Sequence, residues 1–359
     1  MDCGFVLKIE SMTNTTTLQT FESSGGAQIF QVPLEEYPGF WGYAYLVLAQ
    51  DAGLGPLRVL IDSGSGWGDS NAQLEAGLAE AGKLTGQPLG LADLTHILIT
   101  HGHTDHFGGL AYIRPLTQAC LGVHELDKRN LTNYEERLTM VALHLCQYLA
   151  EAGVPLERRN EIMEMYTFSK SLIHSVRVDF TYEAAGMRLG PFEMLHTPGH
   201  CPGHVVIRLH DILFSGDHVL ESTSPHQSPE QLTLSTGLEH YLKSLEALRA
   251  WAGDIRLTLG GHKAPITDLN GRIDAICALH VERLQKVRDF LCHPHTIAEV
   301  TDELFPGVAG YNTLLALEEA GAHVEYLYQR GELEIDNLAD LGKSPLQVPI
   351  QYHLIEGRL

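Results

Sequence analysis

Thr100-His101-Gly102-His103-Thr104-Asp105-His106 is the stretch on which the reading of this chain turns. It follows the apolar strand pattern of residues 94–99, and Phe107-Gly108-Gly109-Leu110 opens a helical pattern directly after it. A loop leaving a buried strand end splays alternate side chains. His101 and His103 can therefore converge on one metal ion while Asp105 and His106 reach a second. Imidazole suits zinc, and a carboxylate can bridge to it or complete a site that keeps one position open for water.

Further strand patterns also end on chemistry-bearing residues. His196-Thr197-Pro198-Gly199-His200-Cys201-Pro202-Gly203-His204 lies between two strands, and its Pro-Gly turn fixes the backbone so that His200 can point back across the site. Leu213-Phe214-Ser215-Gly216-Asp217 ends in a carboxylate, and Leu259-Gly260-Gly261-His262 ends in an imidazole. Strand patterns cover residues 43–49, 57–61, 192–195, 205–209 and 212–215. Helical patterns cover 69–81 and 238–251, where Leu242, Leu245 and Leu248 recur at helical spacing. The chain is α/β.

Two stretches interrupt this rhythm. Residues 125–177 carry long helical patterns at 135–152 and 157–170 and read as an insertion, with lid, dimer contact and decoration all open. Beyond a catalytic unit of residues 1–270, the segment 271–340 reads as a helix over 273–291, a short helix over 296–304 started by Thr296 and a helix over 311–320. A two-stranded hairpin over 324–335 turning at Arg330-Gly331 would complete a winged-helix-like domain, with 341–359 as a tail.

The 359 residues are 44% hydrophobic, 19% charged and 8% aromatic, enough for a large core and against disorder. A net charge of -21 argues against a surface built for polyanions, because such binding draws on Lys and Arg releasing counterions. Residues 1–10 lack the charged start and apolar stretch of a secretory signal, and no apolar run has membrane-spanning length. Cys3, Cys120, Cys146, Cys201, Cys277 and Cys292 are scattered without CxxC spacing, as suits reduced thiols. A cytoplasmic protein with no membrane partner is expected.

In order of strands and motifs, residues 21–268 resemble the metallo-β-lactamase superfamily. That resemblance implies an αββα sandwich with two divalent metal ions, usually zinc, with iron or manganese also compatible. His101, His103 and His200 correspond to ligands of the first ion, and Asp105, His106 and His262 to ligands of the second. Asp217 corresponds to the bridging carboxylate. Ile61-Asp62-Ser63-Gly64 resembles the early strand end whose aspartate supports the site from behind the ligands. Among neighbours, His196 and His204 read as structural or as supports behind the ligands, and with Asp62 and His218 they are the candidates for that role or for touching substrate; Cys201 reads as a bystander, His218 also as a packed histidine, and Tyr43 and His226 are further candidates.

Hydrolysis by a metal-bridging hydroxide is the implied chemistry, with Asp105 orienting the water and passing a proton to the leaving group. Redox members with di-iron carry glutamate in place of the second histidine, and this chain has His103. An ester, thioester or lactone of a small molecule is the first substrate reading. The tail resembles that of the β-lactamase-like protein 2 group, some of which cleave RNA, so an endoribonuclease or phosphodiesterase is the alternative. Against nucleic acid as a partner, Arg283, Lys286 and Arg288 are mixed with Glu282 and Asp289. A metal-binding sensor or scaffold without turnover is the reading outside enzymology, and a homodimer stays open.

Overall fold

The computed structural model describes residues 17–170, 173–341 and 348–355, so the 1–10 segment and parts of the tail lie outside the described residues. Among these residues, β1 (Gln19–Glu22), β2 (Gln28–Tyr37), β3 (Phe40–Asp51), β4 (Gly55–Ile61), β5 (His96–Leu98), β6 (Cys120–Val123) and β7 (Phe180–Thr181) form one sheet in that order. It is antiparallel from β1 to β4 and parallel from β4 to β7. β8 (Arg188–Leu189), β9 (Phe192–His196), β10 (Val205–Leu209), β11 (Ile212–Gly216) and β12 (Leu257–Gly260) form the second sheet, where only β11 and β12 pair in parallel.

Side-chain alternation along the strands builds the layers. β3 sends Tyr43, Tyr45 and Val47 into the core between the sheets, while Ala44 and Leu46 face the helices. β10 places Val205, Ile207 and Leu209 between the sheets and Val206 outside; β11 does the same with Ile212 and Phe214 against Leu213. Helices α1 (Ser70–Thr85), α2 (Thr104–Phe107) and α3 (Leu110–Ile113) cover the outer face of the first sheet through Leu74, Leu78, Phe107, Leu110 and Ile113. The result is the expected αββα sandwich.

The outer face of the second sheet is covered by one continuous core. It draws on α5 (Tyr134–Glu151), α6 (Leu156–Lys170), α7 (Leu238–Ala252), α8 (Leu269–Phe290), α9 (Ile297–Leu304) and α10 (Asn312–Gln329), whereas α4 (Glu125–Thr132) sends Leu131 into the core of the first sheet. Tyr148, Ile162, Leu245, Ile276, Val300 and Leu317 all belong to it. The insertion and the carboxy-terminal helices are thus packed together rather than set apart. Among the described residues, no helix is long and apolar enough to cross a membrane.

One expectation is overturned. Residues 324–329, assigned to the first strand of a hairpin, continue α10, whose Ala320, Val324 and Leu327 face the core at helical spacing while Tyr328 is exposed. The helix stops at Arg330, and Gly331 takes a positive φ of 67°. β13 (Leu333–Ile335) then pairs, past α11 (Leu338–Leu341), with β14 (Tyr352–Leu354), a partner far beyond the expected turn. The periodicity of 320–327 fits both patterns locally; burial against α8 and α9 selects the helix.

In a hairpin strand Val324 and Leu327, three positions apart, would face opposite sides, whereas in α10 both are buried. Val324→Ala is expected to cost about 1–3 kcal/mol, as core truncations do. Leu327→Ala should cost about 2–5 kcal/mol, because its side chain is buried as well. Urea unfolding of both variants checks this, and a negligible loss in either one would restore the hairpin, whose strand leaves one of the two side chains outside.

Candidate metal centre

The loops that carry the histidines and aspartates leave strand ends on one rim of the sandwich. Backbone bonds hold the rim together: Asp62 N–H to Leu98 O (2.9 Å), Val205 N–H to Thr100 O (2.8 Å) and Gly261 N–H to Gly216 O (2.8 Å). The second of these joins the two sheets where the ligand run begins. Gly199 has φ 135°, and a Cβ there would sit 2.4 Å from Tyr241 Cα, so only glycine brings His200 round this turn.

Three histidines on this rim commit Nδ1 to protein oxygens. His106 Nδ1 lies 2.8 Å from Asp62 Oδ2, His200 Nδ1 2.7 Å from the His226 carbonyl and His262 Nδ1 2.8 Å from the Trp41 carbonyl. The carbonyls can only accept, so those imidazoles donate from Nδ1 and turn Nε2 inward. Among the described residues, His106 Nε2, His200 Nε2, His262 Nε2 and Asp217 Oδ1 are buried with no hydrogen-bond partner. Unpaired acceptors gathered on this rim fit bound cations.

Their grouping is specific. Ligand atoms of His101, His103 and His200 lie within 4.8 Å of one another, as do those of Asp105, His106, Asp217 and His262. Asp217 Oδ2 is 3.6 Å from His106 Nε2, 3.4 Å from His262 Nε2 and 3.8 Å from His200 Nε2, so it touches both groups. Asp105 Oδ2 is 3.3 Å from His262 Nε2.

The two groups differ in charge. Burial and the surrounding imidazoles push His101 well below its ordinary pKa, and burial lowers His200. Burial would lower His262 as well, but Asp217 and Asp105 override it and push it up to about 10. Burial is likewise outweighed at Asp105, held low by His106 and His262, and at Asp217, held well below the carboxylate range. In the second group the carboxylates draw protons onto their imidazoles, and a divalent cation would take the place of those protons.

Behind the ligands, Asp62 occupies left-handed backbone at φ 58° and is almost fully buried. Its carboxylate accepts from Thr100 N–H and Thr100 Oγ1, both at 2.8 Å, and orients His106. His204 Nε2 accepts the Asp217 N–H at 3.2 Å and its Nδ1 meets Thr197 Oγ1 at 2.8 Å, so it places the Asp217 turn. His196 lies outside both groups, its Nε2 on the Pro202 carbonyl and its ring stacked on His124. His218 is fully buried between His204 and Tyr241, and burial pushes its pKa down to about 3. Tyr43 N–H bonds the Gly261 carbonyl.

Asp127, on α4 of the insertion, is a residue that sequence reasoning missed. Fully buried, it accepts Gly102 N–H at 2.7 Å and Gly203 N–H at 2.9 Å, clamping the two loops that carry His101, His103 and His200. The Cys201 thiol also donates to it, 3.2 Å from Oδ2. No motif marks this aspartate, because its partners are backbone groups of distant loops. Nearby, a cleft of about 490 Å³ is lined by Tyr37, Ser65, Trp67, Asn71, Tyr112 and Ile173. It borders the turn that bears Asp105 and His106: Tyr37 Oη is 2.9 Å from Thr104 Oγ1, and Gly108 is part of its wall.

Comparison with known proteins agrees with this architecture. The chain is 26% identical over 286 residues to the probable metallo-hydrolase YqjP of Bacillus subtilis (strain 168), covering 76% of this chain and 85% of that one. It is 26% identical over 307 residues to the beta-lactamase-like protein 2 homolog of Drosophila melanogaster, covering 80% and 84%. A crystal structure of a metallo-beta-lactamase family protein from Thermus thermophilus superposes with TM-score 0.68 at 26% identity, over 91% of this chain and 98% of that one. A beta-lactamase domain protein from Burkholderia ambifaria superposes with TM-score 0.67 at 22% identity, over 94% and 95%, which speaks for the fold. The model of the metallo-beta-lactamase superfamily matches residues 57–262, a span that holds every one of the rim ligands, and the chain belongs to that superfamily.

Proposed function

We propose that this protein is a metal-dependent hydrolase that holds two divalent ions, zinc by preference, and cleaves an ester, thioester or lactone bond in a small molecule. The position of Asp217 Oδ2, within 3.4–3.8 Å of imidazole nitrogens from both ligand groups, carries this reading. His101, His103 and His200 would hold one ion, and Asp105, His106 and His262 the other, with Asp217 between them. When bound, such ions supply Lewis acidity, lowering the pKa of water and polarising the scissile carbonyl.

The chain's own groups do the rest. Asp105, more exposed than the histidines around it, is kept ionised by His106 and His262 and so can orient the attacking water by accepting its hydrogen bond; a proton taken up there is held weakly and passes on to the leaving group. Asp62 and the Trp41 and His226 carbonyls keep His106, His262 and His200 in one tautomer. The cleft walled by Tyr37, Trp67 and Tyr112 offers apolar area and a few polar atoms, which suits a small organic substrate. Polyanionic RNA is disfavoured because basic groups of α8 are already neutralised: Arg283 by Glu319, Lys286 by Glu282 and Arg288 by Glu332.

Elemental analysis after dialysis is expected to find two zinc ions per chain, and one in His262→Ala; a single ion in the unaltered protein would remove the two-ion reading. Against a panel of acyl thioesters, lactones and single-stranded RNA, the zinc-loaded protein should turn over a thioester or lactone. Asp105→Ala should lower kcat by about 10²–10⁴-fold, the range of a lost acid–base group. Trp67→Ala should raise KM with less effect on kcat. Cleavage of RNA alone would overturn the small-molecule assignment, and undiminished turnover by Asp105→Ala would overturn the role given to that carboxylate.

A further inference from the structure

His280, Glu319 and His323 form a third group of potential ligand atoms, fully buried among α8 and α10 and outside the centre described above. Its hydrogen bonds close without an ion. His323 Nδ1 is 2.7 Å from the Glu319 carbonyl and must donate to it, which leaves His323 Nε2 an acceptor. His280 Nδ1 donates to that nitrogen at 3.1 Å, and His280 Nε2 then accepts from Ser224 Oγ at 3.0 Å. Arg283 Nη1, 2.8 Å from Glu319 Oε1, already supplies the positive charge. The contrast with the inward-facing, partnerless nitrogens of His106, His200 and His262 is complete.

What this network does is hold a loop. Residues 224–231 cross between the carboxy-terminal helices and the rim, and they are fixed along their length. Ser224 meets His280, His226 Nε2 meets Glu318 Oε2 at 2.8 Å, Gln227 N–H bonds Glu319 Oε2 at 2.7 Å, and the N–H groups of Glu230 and Gln231 bond Glu325. One of these contacts bears directly on the site. The His226 carbonyl that accepts from His200 Nδ1 and the Gln227 N–H that donates to Glu319 belong to the same planar peptide unit. Fixing one end of that plane fixes the other.

We propose that Glu319 is a positioning residue for His200: by gripping the 226–227 peptide from α10, it sets the carbonyl that orients the imidazole toward its metal ion. This rests on the assignment of His200 as a ligand. Glu319 is ionised, since Arg283 and the surrounding histidines outweigh its burial, and each of its oxygens faces a donor. A glutamine in its place would turn its NH₂ toward one of those donors while keeping the shape of the side chain. Loss of an outer partner of a metal-bound histidine typically weakens metal binding about 10- to 100-fold.

Zinc affinity, measured on the full chain by competition with a chromogenic chelator, tests this together with the absorption spectrum of the cobalt-substituted protein. Glu319→Gln is expected to weaken one of the two sites by about tenfold or more and to shift the cobalt bands. Leu327→Ala, which truncates a buried side chain further along the same helix, should lower thermal stability at least as much and leave affinity and spectrum unchanged. Wild-type affinity and spectrum in Glu319→Gln would overturn the proposal, as would a parallel loss in Leu327→Ala. His200→Ala keeps the two readings apart. If it retains both ions, the assignment of His200 fails; if it loses one while Glu319→Gln binds normally, only the positioning role fails.

Discussion

Everything on the rim depends on where the Nδ1 protons of three buried imidazoles go. A neutral imidazole has one proton, and His106, His200 and His262 direct theirs outward, to Asp62 and to the carbonyls of His226 and Trp41. Their lone pairs then face inward together with Asp217 Oδ1, and none finds a donor. A buried acceptor left unpaired costs about 1–3 kcal/mol, so several at one point are strongly destabilising in a fold of ordinary stability. Divalent cations, one at each ligand group, would pair with them. The outward acceptors come from β3, from the end of β4 and from the loop ahead of α7, so the centre leans on the first sheet and on that loop.

Charge divides the centre in two. The group of His101, His103 and His200 has no carboxylate of its own, whereas Asp105 and Asp217 lie with His106 and His262. Under the proposed hydrolytic reading, the ion at the imidazole-rich group would keep more charge for a substrate oxygen, while the carboxylates of the other group would offer a place for a proton. Thr104, next to Asp105, meets Tyr37 on the wall of the cleft.

The parts of this structure that were legible in the sequence are those fixed locally. Residues 94–106 pass from an apolar strand to a ligand loop within a dozen positions, and the strand ends at Asp217 and His262 are equally short-range in their logic. Asp127 was illegible for the opposite reason, because it acts on the amides of Gly102 and Gly203, one of them 76 positions away. The same holds for the His226 and Trp41 carbonyls, which every residue type possesses. Residues 324–329 misled because an apolar run there satisfies strand and helix alike until α8 and α9 supply a surface. β13 also found its partner in β14 rather than next door, a pairing no turn signal announces.

Glu319 lies 92 positions beyond the peptide it grips, and beyond His262, the last residue of the ligand set. A chain growing from its amino terminus has thus made all its ligands before any of α10 exists. Metal offered to such a nascent chain meets the donors but not the clamp on the 226–227 peptide. Under the role proposed for Glu319, the order of synthesis runs opposite to the order of assembly: the segment that offers no ligand atom would be the one that finishes the site, and a chain interrupted after residue 262 would have the donor set without its final geometry.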